Sequence, residues 1–151
     1  MGSWRRFWEL SWPERRLLCQ ALVLLPALAL ALKVAGFRRL HALLGQWPLL
    51  AALQDSSPDR ARAQMVARWV DVAARRGVFQ PNCLHRSLAL WWLLRRRGLE
   101  GELRIGVRKD AQMEAHAWVE YAGEVLNDAE AVRQDYVPFP SAIVPAGARL
   151  R

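Results

Sequence analysis

The chain has 151 residues, the length of one ordinary domain, and 53% of them are hydrophobic, which is enough to build a core and excludes a disordered protein. It has two cysteines, Cys19 and Cys83, too few for a disulfide framework. The formal net charge of +8 is compatible with an anionic partner, such as nucleic acid, a membrane surface or an acidic peptide. No nucleic-acid-binding motif accompanies the arginine runs, most of which fall at predicted helix ends, so we expect no nucleic acid as a partner.

The first predicted element is one long helix over residues 11–36. Ser11 and Glu14 have the spacing of a capping box, and Gly36 is typical of a helix end. Residues 17–32 between them are almost wholly apolar. Cys19 lies inside this run, and we expect it to be a buried structural thiol.

The apolar run admits three interpretations. Its sixteen residues are short for a membrane span, which needs about 20. A cleaved signal peptide agrees poorly with the long preceding region, which carries Glu9, Glu14 and three tryptophans. The third interpretation, a helix buried in the protein or lying on a membrane surface, is favoured. Basic residues flank both ends, so the charges give no orientation across a membrane.

A second helix is predicted after a linker over residues 46–57. Ser57 is its expected N-cap, Pro58 occupies its first position, and the helix ends at Gly77. The residues expected on its core face are Met65, Trp69, Val72 and Ala73.

A third helix over residues 83–97 and three strands follow. The helix carries a wide apolar stripe and ends before Gly98, so we expect it to be the central buried helix. The stripe contains Leu84, Leu88, Trp91 and Trp92. Alternating apolar residues predict strands over 102–108 and 114–121, and a third strand covers 124–128 after a turn at Gly123.

This order of elements predicts an α+β fold. Residues 57–151 would form a core in which a helix precedes an antiparallel sheet, and residues 1–56 a helical, Leu/Ala-rich region. The tail, with its three prolines, is expected to be extended and to pack over the sheet. Those prolines are Pro138, Pro140 and Pro145.

Cys83 is the candidate nucleophile. It lies at a predicted helix N-terminus, where unpaired N–H groups and the helix dipole stabilise a thiolate, the form that attacks carbonyl carbons. A buried helix cysteine is the commoner situation, but the polar residues before Cys83 argue against it. A catalytic thiol must stay reduced, which favours the cytoplasm.

His116 and Asp128 are the candidate partners of this thiol. His116 lies in the middle of the second strand, between two alanines that leave room around its ring. A three-residue loop before the third strand would place His116 opposite Asp128 and Glu120 opposite Glu124, whereas a two-residue loop would put Asp128 on the other face. Asn127 is the alternative partner if the register slips.

The three residues then take the roles of a catalytic triad. Cys83 would be the nucleophile, His116 the general base and later the acid, and Asp128 the residue that orients the imidazole. Candidate substrate-binding residues are Gln80 and Asn82, which are possible oxyanion donors, and Trp118, which shares the strand face of His116. No metal site and no cofactor are expected.

Several motifs together resemble those of the lasso-peptide B proteins, which are transglutaminase-like leader peptidases with a papain-like core. The motifs are CLHRSLAL at 83–90, the arginine-rich helix end before Gly98, IGV at 105–107 and AHAWVE at 115–120. The resemblance is close over residues 70–128 and looser before them. It implies that the family's triad corresponds to Cys83, His116 and Asp128.

The resemblance also implies a function and partners. Such proteins remove the leader from a precursor peptide, after which a partner cyclase closes a ring. The chain resembles the stand-alone form, which depends on a separate leader-recognition protein. Another Cys-His-Asp acyl-transfer enzyme, such as an amidase or transglutaminase, remains open, as does a non-catalytic membrane-associated interaction protein.

Overall fold

The computed structural model describes residues 9–46, 59–108, 114–139 and 149–150. Helices come first along the chain and a mainly antiparallel sheet follows, which confirms the predicted α+β class. The helices are α1 (Trp12–Ala35), α2 (Phe37–Gln46), α3 (Arg60–Arg76), α4 (Cys83–Arg95) and the short α5 (Val132–Asp135). The strands are β1 (Glu102–Arg108), β2 (Glu114–Tyr121), β3 (Glu124–Val125), β4 (Tyr136–Pro138) and β5 (Arg149–Leu150).

Helix α1 is the predicted long helix, and its ends form as expected. The Glu14 carboxylate accepts hydrogen bonds from the backbone N–H of Ser11 at 3.0 Å and from its hydroxyl at 2.6 Å. Gly36 follows the last helical residue with a φ of +73°, a conformation that glycine adopts without steric cost. The core face of α1 consists of Leu17, Ala21, Leu25 and Leu28.

The outer face of α1 is exposed and largely apolar, because the helix buries only one side. Successive residues turn by about 100°, so residues on the side away from the core form a continuous stripe. That stripe, called here the outer stripe, contains Trp12, Cys19, Val23, Leu30 and Val34. The prediction that Cys19 is buried is therefore wrong. By length and composition α1 is apolar enough to cross a membrane, and core helices of soluble proteins pass the same test.

Helix α2 was not predicted, because Gly36 indicates a helix end and the residues after it carry no clear helix signal. Gly36 serves both helices: its N–H donates to the Leu32 carbonyl, and its own carbonyl accepts from the Leu40 N–H. Leu40 joins the core, and the His41 ring stacks on Trp91 with centroids 4.6 Å apart. All but the first residue of the predicted linker lies outside the described residues.

Helix α3 begins two residues later than predicted. Its N-cap is Asp59, whose side chain accepts from the Arg62 N–H at 2.9 Å; Ser57 and Pro58 lie outside the described residues. The predicted core face was partly right, since Trp69 and Ala73 are buried while Met65 and Val72 lie half-buried at its edge. The buried residues are Ala63, Val66, Ala67, Trp69, Val70, Ala73 and Ala74.

Helix α4 is the central helix, as predicted, although it ends at Arg95 rather than Arg97. It packs against α1, α3 and β2, and eight of its thirteen residues are buried. One hydrophobic cluster joins residues of α1, α2, α3 and α4 to Val119 and Tyr121 of β2. The N-terminal helices therefore share a core with the sheet. The predicted division at residues 56 and 57 falls outside the described part of the chain.

The sheet has the strand order β3-β2-β1-β4, with β5 beside the start of β2. Gly106 of β1 lies opposite His116 of β2. A Cβ atom at Gly106 would lie 2.8 Å from the Val137 carbonyl oxygen and 3.0 Å from the Trp118 ring, so only glycine allows this approach. Strand β4 extends the sheet edge beside β1, whereas this part of the tail was expected to pack over the sheet.

The hairpin between β2 and β3 differs from the predicted one. Its loop has two residues, Ala122 and Gly123, with φ values of +48° and +84°. Tyr121 pairs with Glu124, so Glu120 does not face Glu124 and the predicted register is wrong. Two-residue loops with both residues at positive φ match the twist of the flanking strands, which favours them over wider loops.

Candidate functional site

Cys83 occupies the first position of α4, half-buried and as a free thiol. Asn82 is the N-cap: its side-chain oxygen accepts from the His85 N–H at 3.0 Å, and its own N–H donates to His85 Nδ1 at 3.2 Å. This reciprocal pair fixes the start of the helix at the cysteine. The remaining first-turn N–H groups and the positive end of the helix dipole lie beside the thiol.

His116 lies in the middle of β2 and contacts both other candidate residues. Its Nε2 atom hydrogen-bonds to Oδ2 of Asp128. Its side chain also interacts with the Cys83 thiol, and this interaction is one of those that raise the pKa of His116. The structure thus brings Cys83, His116 and Asp128 together, with the imidazole in the middle.

Asp128 contacts His116 even though the hairpin does not have the register on which the prediction of this contact depended. The ladder ends early: the Leu126 N–H donates to the Val119 carbonyl at 2.9 Å, and the Asn127 side-chain oxygen accepts from the Val119 N–H at 2.8 Å. A side chain thus replaces the next backbone acceptor, and residues 126–128 form a bend instead of continuing the strand. A two-residue loop therefore does not separate Asp128 from His116, contrary to the prediction.

The pKa of His116 is set by opposing influences. Burial of the ring is the largest, and by itself it lowers the pKa because the charged form loses solvation. Hydrogen bonds and charge interactions with Cys83 and Asp128 act the other way and prevail, so the pKa lies above its ordinary value of 6.5. The imidazolium therefore persists to higher pH than in a free histidine, and it can pair with a thiolate.

Aromatic rings surround the imidazole. The Tyr136 ring lies 5.1 Å from it and the Trp118 ring 6.4 Å, between centroids. Trp118 is 1% exposed and donates its indole N–H to Glu120 at 2.9 Å, so it lies in the core, and its predicted role in substrate binding stays a prediction. It supports the ring of His116 from within the core. Sequence reasoning missed Tyr136, which carries no motif and lies in the tail.

The two other predicted substrate-binding residues lie before α4. Gln80 is exposed in the loop that leads to the helix, and its predicted role stays a prediction. The side-chain oxygen of Asn82 is used in the helix cap, so it positions Cys83. Within 9–46, 59–108, 114–139 and 149–150, His, Cys, Asp and Glu side chains form no group of three or more that resembles a metal site.

Comparisons with known proteins found two similarities. The chain is 41% identical over 56 residues to the microcin J25-processing protein McjB of Escherichia coli, which covers 37% of this chain and 26% of McjB. This partial similarity supports the resemblance to lasso-peptide B proteins seen in the motifs. No solved structure matches the chain. A family model described as the transglutaminase-like superfamily matches residues 23–141, which include all three candidate residues, and the chain therefore belongs to that superfamily.

Proposed function

We propose that the protein is a cysteine peptidase that removes the leader from a ribosomally made lasso-peptide precursor. The observation that carries the proposal is the contact of Cys83, His116 and Asp128 at a helix N-terminus. The partial similarity to a microcin-processing protein supports the substrate class.

The proposed chemistry proceeds in two steps. The Cys83 thiolate attacks the carbonyl carbon of the scissile peptide, and the His116 imidazolium gives its proton to the departing amine, which leaves a thioester. His116 then takes a proton from water as that water attacks the thioester, and the thiolate is restored. Asp128 holds the ring orientation throughout. The Cys83 backbone N–H, and in this proposal Gln80, stabilise the oxyanion.

The proposed partners follow from the resemblance to lasso-peptide B proteins. They are the precursor peptide, a separate leader-recognition protein and the cyclase that receives the cleaved product. The proposed compartment is the cytoplasm, because the chemistry needs a reduced Cys83.

A related acyl-transfer reaction is the second candidate, since a thioester can be opened by an amine as well as by water. Membership of the transglutaminase-like superfamily supports acyl transfer as this second candidate. The two reactions leave different products: hydrolysis gives a free carboxylate on the leader, and transfer gives an amide.

The test is to incubate the protein with its genomically adjacent precursor and leader-recognition protein and to follow product masses. We expect a leader fragment that ends in a carboxylate, also when an added primary amine is present. A fragment that carries the amine would support acyl transfer instead. An intact precursor would contradict the peptidase proposal once the leader-recognition protein is shown to bind that precursor.

The pH dependence of cleavage should reveal the charge of Asp128. The Asp128→Asn variant keeps a side chain of similar size but removes an interaction that raises the pKa of His116, so that pKa should fall. Activity that requires the imidazolium disappears as pH rises through this pKa. We therefore expect the alkaline limb of the kcat/KM profile to move to lower pH, with kcat reduced about 10²-fold or more.

The matched control for this prediction is Asp135→Asn, the same substitution at an exposed carboxylate in α5. It should leave both the rate and the alkaline limb as in the wild type. An unchanged limb in Asp128→Asn would contradict the proposed role of Asp128.

We also propose that the outer stripe of α1 rests on a membrane surface. Val23, Leu30 and Val34 present an exposed apolar face, and the Arg16 guanidinium lies 5.6 Å from the Trp12 ring beside them. An apolar helix face with basic and aromatic residues is typical of interfacial helices on anionic lipid. A Val23→Glu, Leu30→Glu double variant should reduce the fraction that floats with phosphatidylglycerol vesicles about tenfold.

The control for flotation is Val78→Glu, because Val78 is also an exposed valine but lies between α3 and α4. It should float like the wild type. Equal flotation of the double variant and this control would contradict the membrane proposal and leave the outer stripe for a protein partner.

A further inference from the structure

A buried hydrogen-bond chain connects α4, β2 and the segment after β3. Ser87 is 0% exposed and is the buried polar side chain in the part of the chain that the structure describes. Its hydroxyl donates to the Ala117 carbonyl at 2.9 Å and accepts from Asn127 Nδ2 at 2.8 Å. Asn127 Oδ1 in turn accepts from the Val119 N–H at 2.8 Å. The hydroxyl and both ends of the amide therefore have partners.

Each residue of this hydrogen-bond network lies near one residue of the candidate triad in sequence. Ser87 lies four residues after Cys83, which is about one turn of α4. Ala117 follows His116 directly, and Asn127 directly precedes Asp128. The hydrogen bonds thus join the three backbone segments that carry the nucleophile, the imidazole and the carboxylate.

We propose that Ser87 and Asn127 are positioning residues that set the separation between Cys83 and the His116–Asp128 pair. This proposal rests on the proposed function, because it assigns the network to the reaction of the same site. Neither residue touches the reacting atoms. They act through the backbone segments to which the triad residues belong.

The physical reason is the difference between apolar and polar packing. The remaining contact between α4 and the sheet is largely apolar, and apolar packing has no directional preference. Hydrogen bonds depend steeply on distance and angle, so a satisfied chain of them in the core fixes how the helix sits on the strand. A displacement of about 1 Å between reacting groups costs on the order of 10²-fold in rate.

Asn127 has a second effect on the same geometry. Its side-chain oxygen takes the place of a backbone acceptor opposite Val119, which ends the strand ladder and lets the chain bend. The bend brings the Asp128 carboxylate to Nε2 of His116, and the Ala129 N–H then donates to Asp128 Oδ1 at 2.7 Å. The Asn127 side chain therefore has two effects. It hydrogen-bonds to Ser87 on the helix that carries Cys83, and it ends the strand so that the Asp128 carboxylate can contact the imidazole.

The test uses the Cys19→Ser background, in which Cys83 is the remaining cysteine of the sequence. The rate at which iodoacetamide alkylates Cys83 is measured against pH, because this rate reports the thiolate and needs no peptide substrate. Leader cleavage is measured in parallel as kcat and KM. The variants are Ser87→Ala and Asn127→Ala, with Val66→Ala as a control that opens the α3 core without touching the network.

We expect both network variants to be alkylated at Cys83 more slowly than the parent at neutral pH, because the thiol no longer sits in register with His116. We also expect kcat to fall about 10- to 100-fold with little change in KM, in assays run well below the melting temperature of each variant. Val66→Ala should lower thermal stability and leave both the profile and kcat near those of the parent.

Two results would overturn the proposal. One is an alkylation profile of Ser87→Ala and Asn127→Ala that matches Val66→Ala at equal stability, which would make the network ordinary core structure. The other concerns the double variant Ser87→Ala, Asn127→Ala. Its effect on kcat should be smaller than the two single effects combined, because both residues belong to one hydrogen-bonded unit, so additive effects would contradict the proposal. If the parent is alkylated faster than both network variants but cleaves no leader, the peptidase proposal fails while the positioning proposal stands.

Discussion

Replacing Cys83 with alanine is expected to reduce the rate of leader cleavage by at least about 10³-fold, because the nucleophile of the proposed reaction is lost. The fold should be retained, since Cys83 is half-buried at the first position of α4 and Asn82, not the thiol, caps the helix. Product masses over time give the rate, and the thermal unfolding midpoint checks the fold.

Cys19→Ala is the matched control, because it makes the same substitution at the other cysteine, which is exposed on the outer stripe. It should cleave at the wild-type rate. A Cys83→Ala variant that cleaves as fast as Cys19→Ala would end the peptidase proposal, and the membrane-associated alternative would then be the better explanation of the chain.

The largest expected effect on stability comes from Trp118→Ala. Trp118 is among the largest fully buried side chains, and its ring fills the space against Gly106 and beside Tyr136. Removing it leaves a cavity that strands in a sheet cannot readily close, so we expect a loss of about 3–5 kcal/mol in the free energy of unfolding. Urea denaturation followed by circular dichroism measures this loss.

Trp12→Ala is the matched control, because it makes the same substitution at a tryptophan that is 67% exposed at the start of α1. Its effect on the free energy of unfolding should stay within about 0.5 kcal/mol. A Trp118→Ala variant as stable as Trp12→Ala would contradict the expected contribution of the buried Trp118 ring to stability. Glu120 keeps Arg133 as a partner at 3.0 Å in the variant, so the expected loss reflects the missing ring.

Local patterns predicted most of the elements. The alternation in β1 and β2 gave both strands with the bounds that the structure has, and the capping box gave the start of α1. These signals are strong because each depends on residues that are neighbours in sequence. Cys83 was found in the same way, from the polar residues before an apolar helix.

The errors concern features that depend on distant neighbours. Which face of α1 would be buried, and hence the exposure of Cys19, is decided by α3 and α4 rather than by α1 itself. The hairpin register depended on whether Ala122 would accept a positive φ, which is uncommon for residues other than glycine. A one-residue difference in the loop changes which residues face each other along the whole strand.

Asp128 was assigned to the candidate triad by a register argument that is itself wrong. Asp128 meets His116 because the Asn127 side chain ends the ladder, and nothing in the spacing of residues reveals that substitution of a side chain for a backbone acceptor. Ser87 gave no signal either, since a serine inside a helix is usually solvent-exposed or bonded to its own helix. Its partner lies forty residues away in sequence.

The order of the candidate triad along the chain has a consequence for how its three residues meet during folding. His116 and Asp128 are twelve residues apart and joined by a tight hairpin, so they can meet early through a short loop. Cys83 joins them only when the helix docks on the sheet, a contact between residues more than thirty positions apart. A chain whose helix is not docked therefore holds Cys83 away from His116 and Asp128. In the proposed reaction, the nucleophile and its partners are therefore assembled only while this helix is docked on the sheet.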